Sequence, residues 1–126
     1  MTTRRVLIVD DEDDIREVAQ ISLEMVAGWE VLTASSGSAG LKIASADQPD
    51  AILMDVMMPD MDGPATFQKL QADPAIRHIP VILLTAKLQT ADRKRFVKLG
   101  VAGVLAKPFD PLRLAGQVSE VLHWFT

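Results

Sequence analysis

Short apolar runs and longer periodic stretches take turns along this chain. Most of the runs hold three to five apolar residues and stop at a polar one. Runs of that length, bounded by turn residues, read as strands buried on both faces. The first is Arg5 to Val9, ending in Asp10-Asp11, and the second is Trp29 to Ala34. The third, Ala51 to Met54, ends in Asp55. The fourth, Val81 to Leu84, ends in Thr85-Ala86, and the fifth, Val104 to Ala106, in Lys107-Pro108. Between them the apolar positions recur at helical spacing. Ile15, Val18, Ala19, Ser22, Leu23 and Val26 predict a first helix, opened by Asp13 and Asp14 and ended by Gly28. A serine of Ser35-Ser36 caps a second helix that runs to about Ala46, although Gly40 inside it costs about 1 kcal/mol against Ala. Gly63-Pro64 opens a third, with Phe67 and Leu70 inward and a stop near Asp73-Pro74. A fourth is expected from Thr90 to Leu99, closed by Gly100. Asp110 and Pro111 read as the cap and first residue of a fifth. Its apolar face is Leu114, Ala115, Val118, Val121, Leu122 and Phe125.

Strand and helix therefore alternate five times. Each unit spans roughly 20–30 residues, which forces parallel strands joined by helical crossovers. The fold class is α/β, a three-layer αβα sandwich on a five-stranded parallel sheet. Periodicity leaves the strand order open, and the flavodoxin-like order 2-1-3-4-5 is the expected one.

Composition narrows the function classes. The chain has 126 residues, 48% hydrophobic and 24% charged, the profile of one soluble globular domain. No apolar run approaches the ~20 residues of a membrane span. The apolar run after Arg4-Arg5 is shorter than the ~7–15 residues of a signal peptide, so a cytoplasmic location is expected. The absence of cysteine excludes disulfides, thiolate metal sites and Cys nucleophiles. A net charge of −4 argues against direct nucleic-acid binding.

The chemistry lies at the strand ends. Parallel strands bring their carboxyl ends to one rim, where open α/β sheets place their sites. Asp10, Asp11, Asp55, Thr85 and Lys107 all fall there. Singly, each has a plain reading: the acids as turn or cap residues, Thr85 as a cap, Lys107 as a solvated loop lysine. Together they are harder to dismiss. Three converging carboxylates repel one another, and a divalent cation relieves that. Mg²⁺ takes hard oxygen ligands and often shares its shell with phosphate. A carboxylate nucleophile, a cation, a hydroxyl and an ammonium describe a site for phosphoryl transfer.

Four stretches then carry a resemblance: VLIVDDEDDIRE at 6–17, PDAILMDVMMPDMDG at 49–63, PVILLTA at 80–86 and KPF at 107–109. The chain resembles, over essentially its whole length, a receiver domain of bacterial two-component response regulators, the fold of the chemotaxis response regulator. The resemblance implies Asp55 as phosphoacceptor. It implies Mg²⁺ bound directly by Asp11 and Asp55, by Asp10 through water, and by the Met57 backbone carbonyl. Thr85 would bond the phosphoryl group and signal its presence, and Lys107 would pair with a phosphoryl oxygen. The Lys107-Pro108 bond would be cis. Met57 and Lys87 would flank the path of hydrolytic water. The donor would be a histidine kinase or phosphotransfer protein, and the receiver would signal to a downstream protein by conformational change. It would catalyse only its own phosphorylation and dephosphorylation. Residues 1–126 are expected to form a single receiver domain with no output domain.

Two departures stand out. The family often has Tyr or Phe, a switch aromatic, where this chain has Val104. Members that dimerise through the fourth helix, fifth strand and fifth helix usually carry acids where this chain reads Gly100-Val101-Ala102-Gly103. The switch is then expected in the loop Lys87 to Thr90 and the face of the fourth helix. Two alternatives remain: a receiver excised from a hybrid histidine kinase, and a Mg²⁺-dependent aspartyl-phosphate phosphatase. The second would need an acid two residues after the nucleophile, where this chain has Met57.

Overall fold

The computed structural model describes residues 3–86 and 90–124, the side chain of Thr90 apart. Lys87 and Phe125, named above, lie outside the described residues, as does most of the expected switch loop. The elements are β1 (Arg5–Val9), α1 (Asp13–Ala27), β2 (Glu30–Ala34), α2 (Gly37–Asp47), β3 (Ala51–Asp55), α3 (Gly63–Gln71), β4 (Val81–Thr85), α4 (Thr90–Leu99), β5 (Gly103–Ala106) and α5 (Leu114–Leu122). Every strand pairing is parallel, and the sheet order is β2-β1-β3-β4-β5. This is the expected flavodoxin-like αβα sandwich.

The continuous apolar runs are explained by two covered faces. Successive strand residues point to opposite sides. Leu7, Val9, Ile52, Met54 and Leu83 pack on one side, with Phe67 and Leu70 of α3 and Phe96 of α4. Val6, Ile8, Leu53, Ile82 and Leu84 pack on the other, against Ala19 and Leu23 of α1 and Leu114 and Val118 of α5. Among the described residues no helix is long and apolar enough to cross a membrane.

Gly40 has its reason in this packing. A Cβ there would stand 2.8 Å from Cγ2 of Val9, so α2 lies closer to β1 than any other residue allows. Helix propensity favours alanine by about 1 kcal/mol. Overpacking against a stiff, fully buried valine costs about 1–3 kcal/mol. Gly40→Ala should therefore destabilise the protein by about 1 kcal/mol, read from urea denaturation. An increase in stability would show that α2 shifts freely.

Local detail departs from the sequence reading at four places. Strand β2 starts at Glu30, because Trp29 packs edge-on against Trp124, their rings 5.3 Å apart. Strand β5 begins one residue early, at Gly103. Asp110 does cap, but it caps a separate turn. Its carboxylate accepts from the Leu112 N–H at 2.9 Å and its carbonyl from Arg113 and Leu114, and regular helix starts only at Leu114. Pro111 thus belongs to that turn. On α1, Ala19, Ser22 and Leu23 are buried, while Val18 and Val26 are half-exposed beside Ile21 and Met25. The apolar stripe is wider than the face the helix buries against β1, β2 and α5. The caps at Ser36 and Gly28 are as expected: Ser36 accepts from the Ala39 N–H at 3.1 Å, and Gly28 turns left-handed at φ +69°.

Candidate functional site

Register alone assembles the rim. Val9 pairs with Ala34 on one side and Met54 on the other, so Asp10 and Asp55, each one residue further, are neighbours. Asp55 pairs with Leu84, and Thr85 with Ala106, which places Lys107 one step beyond Thr85. Carboxylate oxygens of Asp10, Asp11 and Asp55 lie within 4.8 Å of one another. Asp10 and Asp55 are buried and Asp11 is half-buried.

Lys107 reaches into this cluster. Its Nζ stands 2.8 Å from Asp10 Oδ2, 3.2 Å from Asp55 Oδ1 and 3.8 Å from Glu12 Oε1. The approach to Asp10 Oδ2 is a buried ion pair, and that carboxylate oxygen has lone pairs enough to accept a further bond. One ammonium cannot neutralise three carboxylates. Burial, and then the charge of Asp10, push the Asp55 carboxyl above its ordinary value, and Lys107 only partly opposes them. Burial pulls Lys107 down, but the attraction of Asp10 and Asp55 outweighs it and the net shift is upward. The residues fit a hard divalent cation: oxygen donors only, an excess of negative charge, and a buried oxygen still able to accept.

The main chain around the cluster is pinned. The Gly63 N–H donates to the Val56 carbonyl at 2.8 Å, closing the loop between β3 and α3. A Cβ on Gly63 would stand 2.6 Å from the Asp55 carbonyl oxygen, so only glycine lets α3 start so near the rim. The Met57 N–H bonds back to the Asp55 carboxylate and lowers its pKa somewhat. The Met57 side chain is 77% exposed. The Lys107–Pro108 bond is cis. Val104 is buried in β5 opposite Leu83, a core position.

Three contributors escaped the sequence reading. Arg16 donates to the Asp10 carbonyl at 2.8 Å and pairs with Asp13, fixing the turn that presents Asp10 and Asp11. Asp62 accepts from the Ala65 N–H at 2.7 Å and caps α3, a role the run Asp62-Gly63-Pro64 signals. Asp60 accepts from the Gly37 and Ser38 N–H groups and from the Ser38 hydroxyl, at 3.1–3.2 Å. Those bonds, led by the Ser38 N–H, hold its carboxyl below the ordinary range. Asp60 ties the loop after Asp55 to the start of α2, and nothing local in the sequence announces it.

Comparison with known proteins decides what this rim belongs to. The family model of the response regulator receiver domain matches residues 6–119. The chain belongs to that family. The chemotaxis response regulator CheY4 of Vibrio cholerae superposes with a TM-score of 0.88 at 32% identity, over 95% of this chain and 99% of that one. The response regulator PleD of Caulobacter vibrioides is 43% identical over 122 residues, which are 95% of this chain but 26% of PleD. A probable transcriptional regulator of Guillardia theta, ycf27, is 38% identical over 97% of this chain and 46% of its own length. The receiver thus spans about half or less of these curated relatives. Of the expected site residues, Asp10, Asp11, Asp55, Thr85 and Lys107 stand on one rim, with Thr85 buried at the end of β4.

Proposed function

We propose that this receiver takes a phosphoryl group onto Asp55 from the phosphohistidine of a histidine kinase or phosphotransfer protein. The observation that carries this reading is the convergence of three carboxylates with Lys107 at 3.2 Å from Asp55 Oδ1. An Asp55 oxygen forms the new O–P bond as the P–N bond of the donor breaks. The electron pair goes to the imidazole nitrogen, which then takes up a proton. A carboxyl held above its ordinary range is the more basic, and so the better, nucleophile. Lys107 balances charge on the phosphoryl oxygens, and the Thr85 hydroxyl bonds one of them. Mg²⁺, held by Asp10, Asp11, Asp55 and the Met57 carbonyl, would supply the remaining positive charge against the phosphoryl oxygens.

Residues 1–126 act in this reading as one receiver domain in the cytoplasm. The receiver catalyses only its own phosphorylation and dephosphorylation and hands information to a downstream protein through changed surface. Phosphomonoester hydrolysis is disfavoured by Met57, which offers no acid two residues after Asp55. Intact mass after incubation with acetyl phosphate and Mg²⁺ tests the assignment. One phosphoryl adduct is expected on the unaltered protein and none on Asp55→Asn. An adduct that persists in the variant overturns it.

A further inference from the structure

The loop over residues 56–62 leaves the rim after β3 and returns to it at α3. Its feet are tied. The Val56 N–H donates to the Leu84 carbonyl at 3.0 Å, and the Gly63 N–H to the Val56 carbonyl at 2.8 Å. Between the feet, Met58 turns into the core while Met57 turns out to solvent. One anchor of that kind leaves a loop free to tilt about it. Asp60 supplies a second. Both oxygens of its carboxylate grip the start of α2: Oδ1 accepts from the Gly37 N–H at 3.2 Å, and Oδ2 from the Ser38 N–H and hydroxyl at 3.1 Å each. The unpaired N–H groups and positive dipole end of a helix favour a carboxylate there. Helix α2 does not depend on Asp60 for its cap, because Ser36 already accepts from the Ala39 N–H. Loop and helix also nest where they are tied. A Cβ on Gly37 would meet Thr66 Oγ1 and stand 3.3 Å from the Met61 carbonyl oxygen. Pro59, with its fixed φ, stiffens the link from Asp60 back to Met57 and Met58. Asp60 itself stands outside the cluster of Asp10, Asp11 and Asp55.

We propose that Asp60 is a positioning residue: its grip on the first N–H groups of α2 fixes the tilt of the loop that carries the Met57 carbonyl, and so sets how tightly the rim holds Mg²⁺. This rests on the Mg²⁺ site proposed above. Groups that hold a metal ligand in place without touching the metal govern its affinity, because a ligand free to swing has to be ordered when the ion arrives. The device couples the rim to α2, an element that contributes no residue to the site.

The experiment is calorimetric titration of Mg²⁺ into the unphosphorylated protein, with amide exchange measured on the same samples before metal is added. Asp60→Ala should weaken Mg²⁺ at least about threefold, short of the larger losses seen for buried supporting groups because the latch is exposed. Losing a negative charge near the rim would act in the same direction, so a second variant removes the donors and keeps the charge. Ser38→Pro deletes the Ser38 N–H and hydroxyl, and it repeats the Gly-Pro start that α3 already uses at Gly63-Pro64. It should weaken Mg²⁺ comparably, and the double variant should bind no more weakly than the poorer single one, since both break the same contact. Ser36→Ala removes the cap of α2 and leaves the latch. It should melt a few degrees lower yet hold Mg²⁺ within about twofold of the unaltered protein. In the metal-free samples the Met57 amide should exchange faster in Asp60→Ala and Ser38→Pro and unchanged in Ser36→Ala. Full Mg²⁺ affinity in Ser38→Pro beside a loss in Asp60→Ala overturns the proposal in favour of charge alone. Unchanged exchange at Met57 in Asp60→Ala overturns it as well. The unaltered protein separates the two ideas: if it takes no Mg²⁺, the metal site itself falls, and if it and Asp60→Ala take Mg²⁺ equally, only the role of Asp60 falls.

Discussion

Lys107→Met should lower the melting temperature by roughly 8 °C without divalent cation, and Mg²⁺ should return most of the loss. The methionine keeps the length of the side chain and removes the charge. Asp10 and Asp55 are then left buried and facing each other with no ammonium between them. Breaking a fully buried pair costs roughly 3–5 kcal/mol. This rim is open to water on one side, so about 2 kcal/mol is the better expectation, and about 4 °C accompanies each kcal/mol in a domain of this size. A cation at 100 times its dissociation constant returns about 2.7 kcal/mol. The sign of the pH dependence follows from Asp55, whose folded-state pKa lies above its ordinary 3.8. Its contribution to stability is full below the ordinary value and is lost as pH rises through the raised one. Lys107, itself raised above 10.5, stabilises the fold throughout neutral pH until pH passes its folded value. Without Lys107 the Asp55 penalty grows, so the variant should melt appreciably higher at about pH 5 than at about pH 8. Calorimetry at both values decides this. Equal melting at the two would mean that the carboxylates do not repel.

Gly63→Ala should cost about 3 kcal/mol and weaken Mg²⁺ binding at least about tenfold, near the upper end of overpacking effects. The added methyl meets main chain, not a side chain that can move aside: the Asp55 carbonyl at 2.6 Å and the Val56 Cα at 3.1 Å. Relief requires α3 to retreat, which breaks the Gly63–Val56 bond, or the end of β3 to twist, which re-aims Asp55. Gly116 is the matched control. It lies within α5, and a Cβ there meets nothing within 4 Å. Gly116→Ala should stabilise by about 1 kcal/mol through helix propensity alone. Denaturant unfolding of both variants, with calorimetric titration of Mg²⁺, separates steric from conformational effects. Unchanged Mg²⁺ affinity in Gly63→Ala would show that the start of α3 does not set the position of Asp55.

The rim was legible in the sequence for a specific reason. The strands are short, and β1, β3 and β4 are buried on both faces, so the chain has to turn polar where the strand leaves the core. Those first polar residues are Asp10, Asp55, Thr85 and Lys107, and parallel register brings them together whatever the loops do. Asp60 was not legible, because its partners lie over twenty residues away and its neighbours already read as a turn. The start of α5 was misplaced because an Asp-Pro pair opens a turn as readily as a helix. The exposure of Val18 and Val26 was hidden because periodicity records which residues share a face and is blind to how much of that face is covered.

The pairing of Trp29 with Trp124 has a practical consequence. They are the only two tryptophans of the chain, and Trp29 lies just ahead of β2, at the opposite end of the sheet from Asp55. The guanidinium of Arg4 covers the Trp124 ring at 4.6 Å. Intrinsic emission will therefore follow the separation of β2 from the end of α5 when the domain unfolds. It will stay nearly silent when a cation or phosphoryl group arrives at the far rim. A flat fluorescence titration with Mg²⁺ would be no sign of failed binding in this receiver. A reporter for occupancy has to be placed near Met57, whose exposed side chain offers a position for one.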